Sequence, residues 1–298
     1  MMQSNERLTV EWLDRNGKTW DLTAGTEGVL LDVGQSDFTL SPIEHTYVRG
    51  GTQWAGAQVR RAEPSLKLLV ADEKTGTEYY QLADEWWSEA NSPFDTGVLR
   101  VTRPDGEIRE LVCRLRDTPG TTYPYDPGSG IDENPGEAWL LTSPDSYWSG
   151  PEQSVRFASN AVAGAGTPFY GPSGKGWPLY ISSASAAKDL FISNNGQGPV
   201  WLTWTLVGPM STVRFGVEGG LLAYSGSIPA GEQVVVSTKP GNRFAVEAGS
   251  GENRYSKLSG TYAPMPVGDR LPLTIIAEGM TTESAVIVTA REQFARPF

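Results

Sequence analysis

The sequence has 298 residues, with 24 Lys and Arg against 35 Asp and Glu, and a formal net charge of −11. This charge disfavours sequence-specific nucleic-acid binding, which needs clustered Lys and Arg to displace the counterions of phosphates. The N-terminus has no basic segment followed by an apolar one, and no run of about 18 apolar residues occurs in the chain. We therefore expect neither a signal peptide nor membrane insertion.

The composition favours a mainly β protein. The 34 Gly and 21 Pro supply frequent turns, and the 10 Trp, 11 Tyr and 9 Phe supply the bulky side chains that strands favour. The single cysteine, Cys113, alternates with Leu111 and Leu115, so we predict a buried thiol on the inner face of a strand. One cysteine allows no internal disulfide, which is compatible with synthesis in a reducing cytosol.

Strands in the first half are predicted from alternation of apolar and polar residues. The first covers residues 7–12, with Leu8, Val10 and Trp12 on one face, and the Asn16-Gly17 pair predicts a tight turn after it. A hairpin or long loop is predicted at 46–56, because Gly50, Gly51 and Gly56 lie there. The remaining predicted strands cover 19–22, 28–33, 65–71, 97–102, 107–115, 139–141 and 147–148.

One amphipathic helix is predicted between Thr77, its proposed N-cap, and a stop at Asn91-Ser92-Pro93. Its apolar residues follow helical spacing, at Tyr79, Leu82, Ala83, Trp86, Trp87 and Ala90. The Trp86-Trp87 pair can pack in the core or stack on a carbohydrate, and the helical stripe favours packing.

Residues 117–137 are rich in Pro, Gly, Asp and Thr, which predicts an irregular linker near a domain boundary. We place the first domain at residues 1–143 and the second at 144–298. After Gly150-Pro151 many short strands with turns between them predict an antiparallel sandwich. These strands cover 154–158, 179–182, 190–193, 200–207, 212–218, 221–225, 233–237, 244–248, 270–277 and 284–289.

No catalytic, cofactor-binding or metal-binding residue is predicted. His45 is the only histidine, which excludes sites built from several His residues. Glu85 and Glu89 are read as a solvated helix face, with a glycosidase carboxylate pair as the alternative. The loop 126–134 has oxygen atoms suited to calcium but lacks EF-hand spacing, so a plain linker is favoured. The Gly-rich segments 163–166 and 171–176 match no phosphate-binding motif and are read as loops.

Several segments, taken in order, resemble the distal tail proteins (Dit) of siphoviruses and the related minor tail proteins of actinobacteriophages. In the second half these are FISNNGQGPVWLTWTLVGP (191–209), PAGEQVVVSTKPGNR (229–243) and LPLTIIAEG (271–279). In the first half they are residues 48–70, 97–117 and 143–152. The final segment, 281–298, and the loop 160–178 depart from the pattern; the final segment either returns to the first domain or contacts neighbouring proteins.

The resemblance implies a structural virion protein without enzymatic activity. The first domain would form a homo-oligomeric ring, usually of six subunits, at the tail tip, and the second would be a galectin-like β-sandwich. The ring would join the tail tube protein to the tip hub and the receptor-binding proteins, after assembly in the host cytoplasm. We predict that Trp54 is buried between subunits, where neighbouring strand edges pair. The acidity suits solubility, or a lumen that lets DNA pass.

Two alternative functions remain open at this point. The second domain can be a carbohydrate-binding module for host glycans, with Trp177, Tyr180, Trp201 or Tyr224 as stacking residues. Core or interface packing is the simpler role for the same four side chains. A glycan-degrading tail enzyme is the third hypothesis, which rests only on the abundance of acidic residues.

Overall fold

The computed structural model describes residues 7–48, 52–71, 74–90, 93–118, 125–129, 136–158, 184–187 and 190–298. The fold is mainly β, with a single α-helix among the described residues. The chain forms two compact units. Unit 1 comprises Met1–Pro151 and Gln293–Phe298, and unit 2 comprises Glu152–Glu292.

Among the described residues of unit 1, nine strands and one helix lie wholly in the unit, and a tenth strand begins there. The helix, α1, covers Gly76–Glu85, and a π-helical turn at Trp86–Ala90 continues it. The strands are β1 (Thr9–Leu13), β2 (Thr19–Asp21), β3 (Val29–Leu31), β4 (Pro42–Val48), β5 (Thr52–Val59), β6 (Ser65–Val70), β7 (Gly97–Thr102), β8 (Ile108–Asp117), β9 (Glu137–Thr142) and β10 (Trp148–Ala158).

The strands of unit 1 pair in antiparallel fashion. The order β2-β1-β7-β8 forms one run, and β8, β9, β6 and β3 continue it. The predicted Asn16-Gly17 turn is confirmed, because Gly17 has a φ of +84° and its N–H donates to the carbonyl of Asp14 at 3.0 Å. The predicted hairpin at 46–56 is also confirmed, since β4 and β5 pair only with each other among the described strands.

The helix confirms the predicted apolar face but not the predicted start. Thr75, not Thr77, occupies the N-cap position, and its side chain makes no capping hydrogen bond. Gly76 adopts a φ of +55°, a left-handed conformation that glycine accepts at little cost, so the chain turns into the helix before Thr77. Tyr79 and Trp86 are buried, whereas Trp87 remains 39% exposed. The Trp pair therefore contributes one core residue and one surface residue.

The core of unit 1 is built around stacked indoles. Trp86 lies 4.9 Å from Trp20 in an edge-on arrangement and 4.7 Å from Trp139 in a stacked one, measured between ring centroids. Such pairs contribute about 0.5–1.5 kcal/mol each beyond the burial of their area. Cys113 is fully buried in the same core, as predicted from its alternation with leucines.

The described strands of unit 2 form two antiparallel sheets. One has the order β17-β16-β13-β20, and the other has the order β11-β19-β14-β15-β18, with β12 also paired to β19. The strands are β11 (Ala184–Ala187), β12 (Phe191–Asn194), β13 (Thr203–Val207), β14 (Met210–Val217), β15 (Gly220–Ile228), β16 (Gln233–Ser237), β17 (Phe244–Glu247), β18 (Leu258–Gly260), β19 (Gly268–Glu278) and β20 (Ala285–Phe294). The last two residues of β20 belong to unit 1.

The two sheets share one hydrophobic core, which gives unit 2 the predicted sandwich character. The predicted inward faces are confirmed: Trp204 and Leu206 of β13 and Val213 and Phe215 of β14 are all buried. The rings of Trp204 and Phe215, one from each sheet, lie 5.0 Å apart.

Two details differ from the sequence-based expectation. The predicted break at Gly150-Pro151 is wrong, because β10 continues through both residues. Pro151 is exposed on this strand, and a proline is accepted where no sheet hydrogen bond needs its missing N–H. The strands β11 and β18 were missed, and the predicted strand at 179–182 lies outside the described residues.

Candidate interaction surfaces

Burial removes the only thiol from consideration as a nucleophile. The surroundings of Cys113 raise the pKa of its thiol far above the ordinary range, because an apolar environment disfavours the charged thiolate. His45, the only histidine of the sequence, lies on β4, and its side chain is outside the described part. Among the described residues no group of three His, Cys, Asp or Glu side chains is placed to hold a metal ion. No helix in that part is long and apolar enough to cross a membrane.

Glu85 has a structural partner. Its carboxylate accepts from the Lys18 ammonium at 2.5 Å, and the same ammonium lies 3.7 Å from the centroid of the Trp20 ring. The contact joins the end of α1 to the first hairpin. Both side chains are exposed, which agrees with the predicted solvated face of the helix. The side chain of Glu89 lies outside the described part, so the predicted pairing of the two glutamates is not described.

Asp126 organises the start of the 126–134 loop. Its carboxylate accepts hydrogen bonds from the hydroxyl of Tyr80 and from the N–H of Gly128, and both bonds lower the pKa of Asp126. A 3-10 turn at Pro127–Ser129 follows. Residues 130–135 lie outside the described part, so the calcium hypothesis is not tested. The hydrogen bond from Tyr80 attaches this loop to α1.

Unit 1 carries a set of exposed aromatic side chains. Phe94 is 91% exposed, and Trp87, close to it in sequence, donates its indole N–H to Glu137 at 3.3 Å. The other oxygen of Glu137 accepts from the buried Trp139 at 3.0 Å, so the surface indole is tied to the core. We call the following residues the aromatic surface of unit 1: Tyr80, Trp87, Phe94, Tyr125 and Phe298.

An open apolar cavity of about 270 Å³ also lies in unit 1. Phe38 forms part of its wall, and the ring of Phe38 stacks on Trp148 at a centroid distance of 5.9 Å. Trp148 in turn donates its indole N–H to the carbonyl of Phe38 at 2.9 Å. The other apolar lining residues are Leu8, Val10, Leu31, Val101 and Phe298.

The candidate sugar-stacking residues of unit 2 have different environments. Tyr224 is only 1% exposed, which removes it as a stacking residue, and this part of the hypothesis is wrong. Trp201 is partly exposed. Trp177 and Tyr180 lie outside the described residues, so their roles stay predictions.

Trp201 lies in a cluster that the sequence did not predict, which we call the Arg243 cluster and define as Trp201, Arg243, Tyr255 and Tyr262. The guanidinium carbon of Arg243 is 4.2 Å from the centroid of the Tyr262 ring and 6.0 Å from that of Trp201. The hydroxyl of Tyr262 donates to that of Tyr255 at 3.3 Å, and burial with this contact raises the pKa of Tyr262 to about 12. Four separate segments supply these side chains, so no local motif could have revealed them.

Comparison with solved structures finds proteins of the same fold over nearly the whole chain. A chain of the phage P2 baseplate in its activated conformation with Ca has a TM-score of 0.58 and 12% identity, over 96% of this chain and 98% of that one. The Dit protein of phage SPP1, described as a paradigm of the hub adsorption apparatus in phages that infect Gram-positive bacteria, has a TM-score of 0.56 and 12% identity, over 97% and 99%. No protein-family model matches the sequence, and no curated protein matches it. The fold implied by the sequence resemblance is therefore confirmed.

Proposed function

We propose that this chain is a structural distal tail protein, which forms a homo-oligomeric ring at the tip of a phage tail and has no enzymatic activity. The observation that carries the proposal is the likeness of its fold to the SPP1 Dit protein over 97% of the chain. A ring of six subunits would join the tail tube protein to the tip hub and to receptor-binding proteins. The protein would assemble in the host cytoplasm and remain in the virion.

The surface of unit 1 supports a role in ring contacts. Exposed aromatic side chains are enriched at protein interfaces, and unit 1 exposes Phe94 almost completely. The β4–β5 hairpin pairs with no other described strand of the unit, so its edges are available to strands of neighbouring subunits. We assign ring formation to unit 1, which extends the domain expected at 1–143 to Pro151 and adds Gln293–Phe298, and the galectin-like sandwich to unit 2.

Electron microscopy of the purified full chain, combined with its native mass, tests the ring directly. We expect closed rings with a mass of six subunits, and we expect them to bind the end of a reconstituted tail tube. A protein that stays monomeric at all concentrations, also in the presence of tail tube protein, would reject the proposal.

Replacement of Trp54 tests the predicted role of the hairpin. Trp54→Ala should weaken ring formation and leave the folding of the isolated subunit unchanged, because we place this residue between subunits. The matched control, Trp201→Ala in unit 2, should leave the rings intact. Rings of normal stability from the Trp54→Ala protein would show that the hairpin residue is not at the contact.

Adhesion to host glycans through unit 2 is the second candidate function. The Arg243 cluster favours it, because this cluster gathers three aromatic rings and a cation at the surface of the unit. Adhesion is compatible with ring formation, since we assign the ring contacts to unit 1.

A further inference from the structure

We propose that the Arg243 cluster is a surface binding site for an anionic saccharide, meaning a sugar that carries a carboxylate or a phosphate. The inference rests on the adhesion candidate and is independent of ring formation. It adds the residues that make the site and the charge of the ligand.

Arg243 supplies the charge that selects the ligand. The Arg243 side chain is exposed. Among the described residues it makes no ion pair and no hydrogen bond, and it contacts the rings of Trp201 and Tyr262. The contact with Tyr262, 4.2 Å from the guanidinium carbon to the ring centroid, uses none of the N–H groups in a hydrogen bond, so these groups remain able to donate. This planar group matches a carboxylate or a phosphate with two parallel hydrogen bonds.

Arg254, a second arginine nearby in sequence, differs from Arg243 because it is ion-paired. Arg254 directly precedes Tyr255, but its guanidinium is paired with Glu252 at 2.8 Å and lies 3.9 Å from Glu232. The two carboxylates neutralise that cation. Of these two arginines, only Arg243 has a charge that the protein itself leaves unpaired within the described part.

The aromatic rings supply flat surfaces for the apolar C–H face of a sugar. Trp201 is partly exposed, and Tyr255 is 38% exposed. Arg243 lies at the outer limit of a cation–π contact with Trp201, so it does not cover that indole closely. An aromatic side chain offers this surface at a low entropic cost, because few of its torsions must be fixed.

The backbone holds these rings in place. Val200, next to Trp201, exchanges two hydrogen bonds with Met265 at 2.9 and 2.7 Å, and Thr261, next to Tyr262, donates to the carbonyl of Leu221 at 2.9 Å. Both segments are therefore tied to the sandwich. A site preorganised in this way loses less entropy when a ligand binds.

The local shape limits how the ligand can bind. The cleft beside Tyr262 has a volume of about 10 Å³, which is about the room that one water molecule needs. A sugar ring cannot enter it. The ligand therefore has to lie across the rings at the surface, which fits a segment of a polysaccharide chain better than a small molecule enclosed in a pocket.

Binding of defined sugars to the full chain tests the site. The probes are trigalacturonate for the carboxylate, mannose 6-phosphate for the phosphate and maltotriose as the neutral sugar, each followed by NMR or calorimetry. We expect at least one anionic probe to bind, with an affinity that falls as salt rises, and maltotriose to bind at least tenfold more weakly. The two anionic probes show which acidic group is preferred.

Variants then identify the residues responsible. Arg243→Ala should weaken binding about tenfold or more, as expected for loss of a charged hydrogen bond. Trp201→Ala should also weaken it, whereas Arg214→Ala, which removes an exposed arginine elsewhere in unit 2, should not. Unfolding of each variant is measured in parallel, and Arg243→Lys, which keeps the charge but not the planar group, should bind with intermediate strength.

The results separate this inference from the ring proposal. The site is rejected if neither anionic probe binds even when its concentration is raised 10-fold above that of the first titration. It is also rejected if Arg243→Ala binds the probe as tightly as the parent protein does. If the same preparation forms rings, the structural function stands without it. Binding by a protein that forms no rings would support the site and reject the ring.

Discussion

The two units differ in where they place their aromatic residues. Among the described residues, unit 1 exposes five large aromatic side chains, its aromatic surface, whereas Tyr255 is the only one in the corresponding set of unit 2. Exposed aromatic area is costly in water unless a partner covers it. Unit 1 therefore exposes more aromatic area than unit 2, and this difference is the reason why we look for the proposed ring contacts in unit 1 and for the proposed sugar site around Tyr255 in unit 2.

The hydrophobic cores of the two units also differ in their aromatic content. Among the described residues, the core of unit 1 holds five buried tryptophans, whereas that of unit 2 holds one, Trp204, together with Phe215, Tyr224 and many aliphatic side chains. The list for unit 1 is Trp12, Trp20, Trp86, Trp139 and Trp148. Four variants test how far each unit depends on these features, from the largest expected effect to the smallest.

Trp139→Ala should have the largest effect. Its indole stacks on Trp86 and donates to the buried Glu137, so the substitution leaves a cavity and removes one hydrogen bond. We expect a loss of about 3–5 kcal/mol in the stability of unit 1. Hydrogen exchange should show faster exchange in unit 1 and little change in unit 2. Equal loss of protection in both would show that the two units unfold together.

Asn194→Ala should destabilise unit 2 by about 2–3 kcal/mol. The fully buried amide donates to the carbonyls of Gly198 and Pro266 at 3.0 and 3.1 Å and accepts from the N–H of Gly196 at 3.1 Å. Chemical denaturation followed by hydrogen exchange measures the loss. Asn195→Ala, at the exposed neighbour, should stay within about 0.5 kcal/mol of the parent protein, and a similar cost for both would contradict the role of the amide.

Phe94→Ser should weaken self-association without destabilising the subunit by more than about 0.5 kcal/mol, because the side chain is 91% exposed. Interface aromatics commonly contribute more than about 1 kcal/mol to a contact. Analytical ultracentrifugation over a range of concentrations measures the change. Val267→Ser, at an exposed apolar residue of unit 2, is the control and should leave association unchanged. If Val267→Ser weakens association and Phe94→Ser does not, the interface lies in unit 2.

Glu247→Gln should have the smallest effect, a loss of stability above about pH 4.5 that disappears as the pH falls to about 2. Hydrogen bonds from the Ser250 side chain and from the N–H groups of Gly249 and Ser250 lower the pKa of Glu247 to about 2. Because the folded pKa is below the unfolded one, the carboxylate stabilises unit 2 above about pH 4.5, and this contribution is lost as the pH falls to about 2. The Gln variant should show a flatter stability profile in that range. An unchanged profile would mean that other groups cause the acid dependence.

Much of the strand pattern followed from the sequence, because burial on one face of a sheet imposes a period of two. Val213, Phe215 and Val217 show this, since the sequence assigned them to one face and all three are buried. Contacts between distant segments were not accessible in this way. Arg109, on β8, is buried with its guanidinium 3.4 Å from the ring of Phe294, a partner 185 positions later in the chain.

The Arg243 cluster could not be predicted from the sequence for the same reason. Alternation and turn residues place Trp201 near the start of a strand, but they do not show that Arg243 and Tyr262 come to lie beside it. The N-cap of α1 was misplaced for a local reason, because the positive φ of Gly76 allowed the helix to begin before Thr77.

The return of Gln293–Phe298 to unit 1 has a consequence for how the protein is made. Phe294 packs against the core of unit 1, and the carbonyl of Ala295 accepts the N–H of Leu40 at 2.7 Å. The ribosome therefore finishes all of unit 2 before unit 1 has its last contacts. In the order of synthesis, the unit that begins first is completed last, so a nascent chain cannot present a finished unit 1 until unit 2 has emerged.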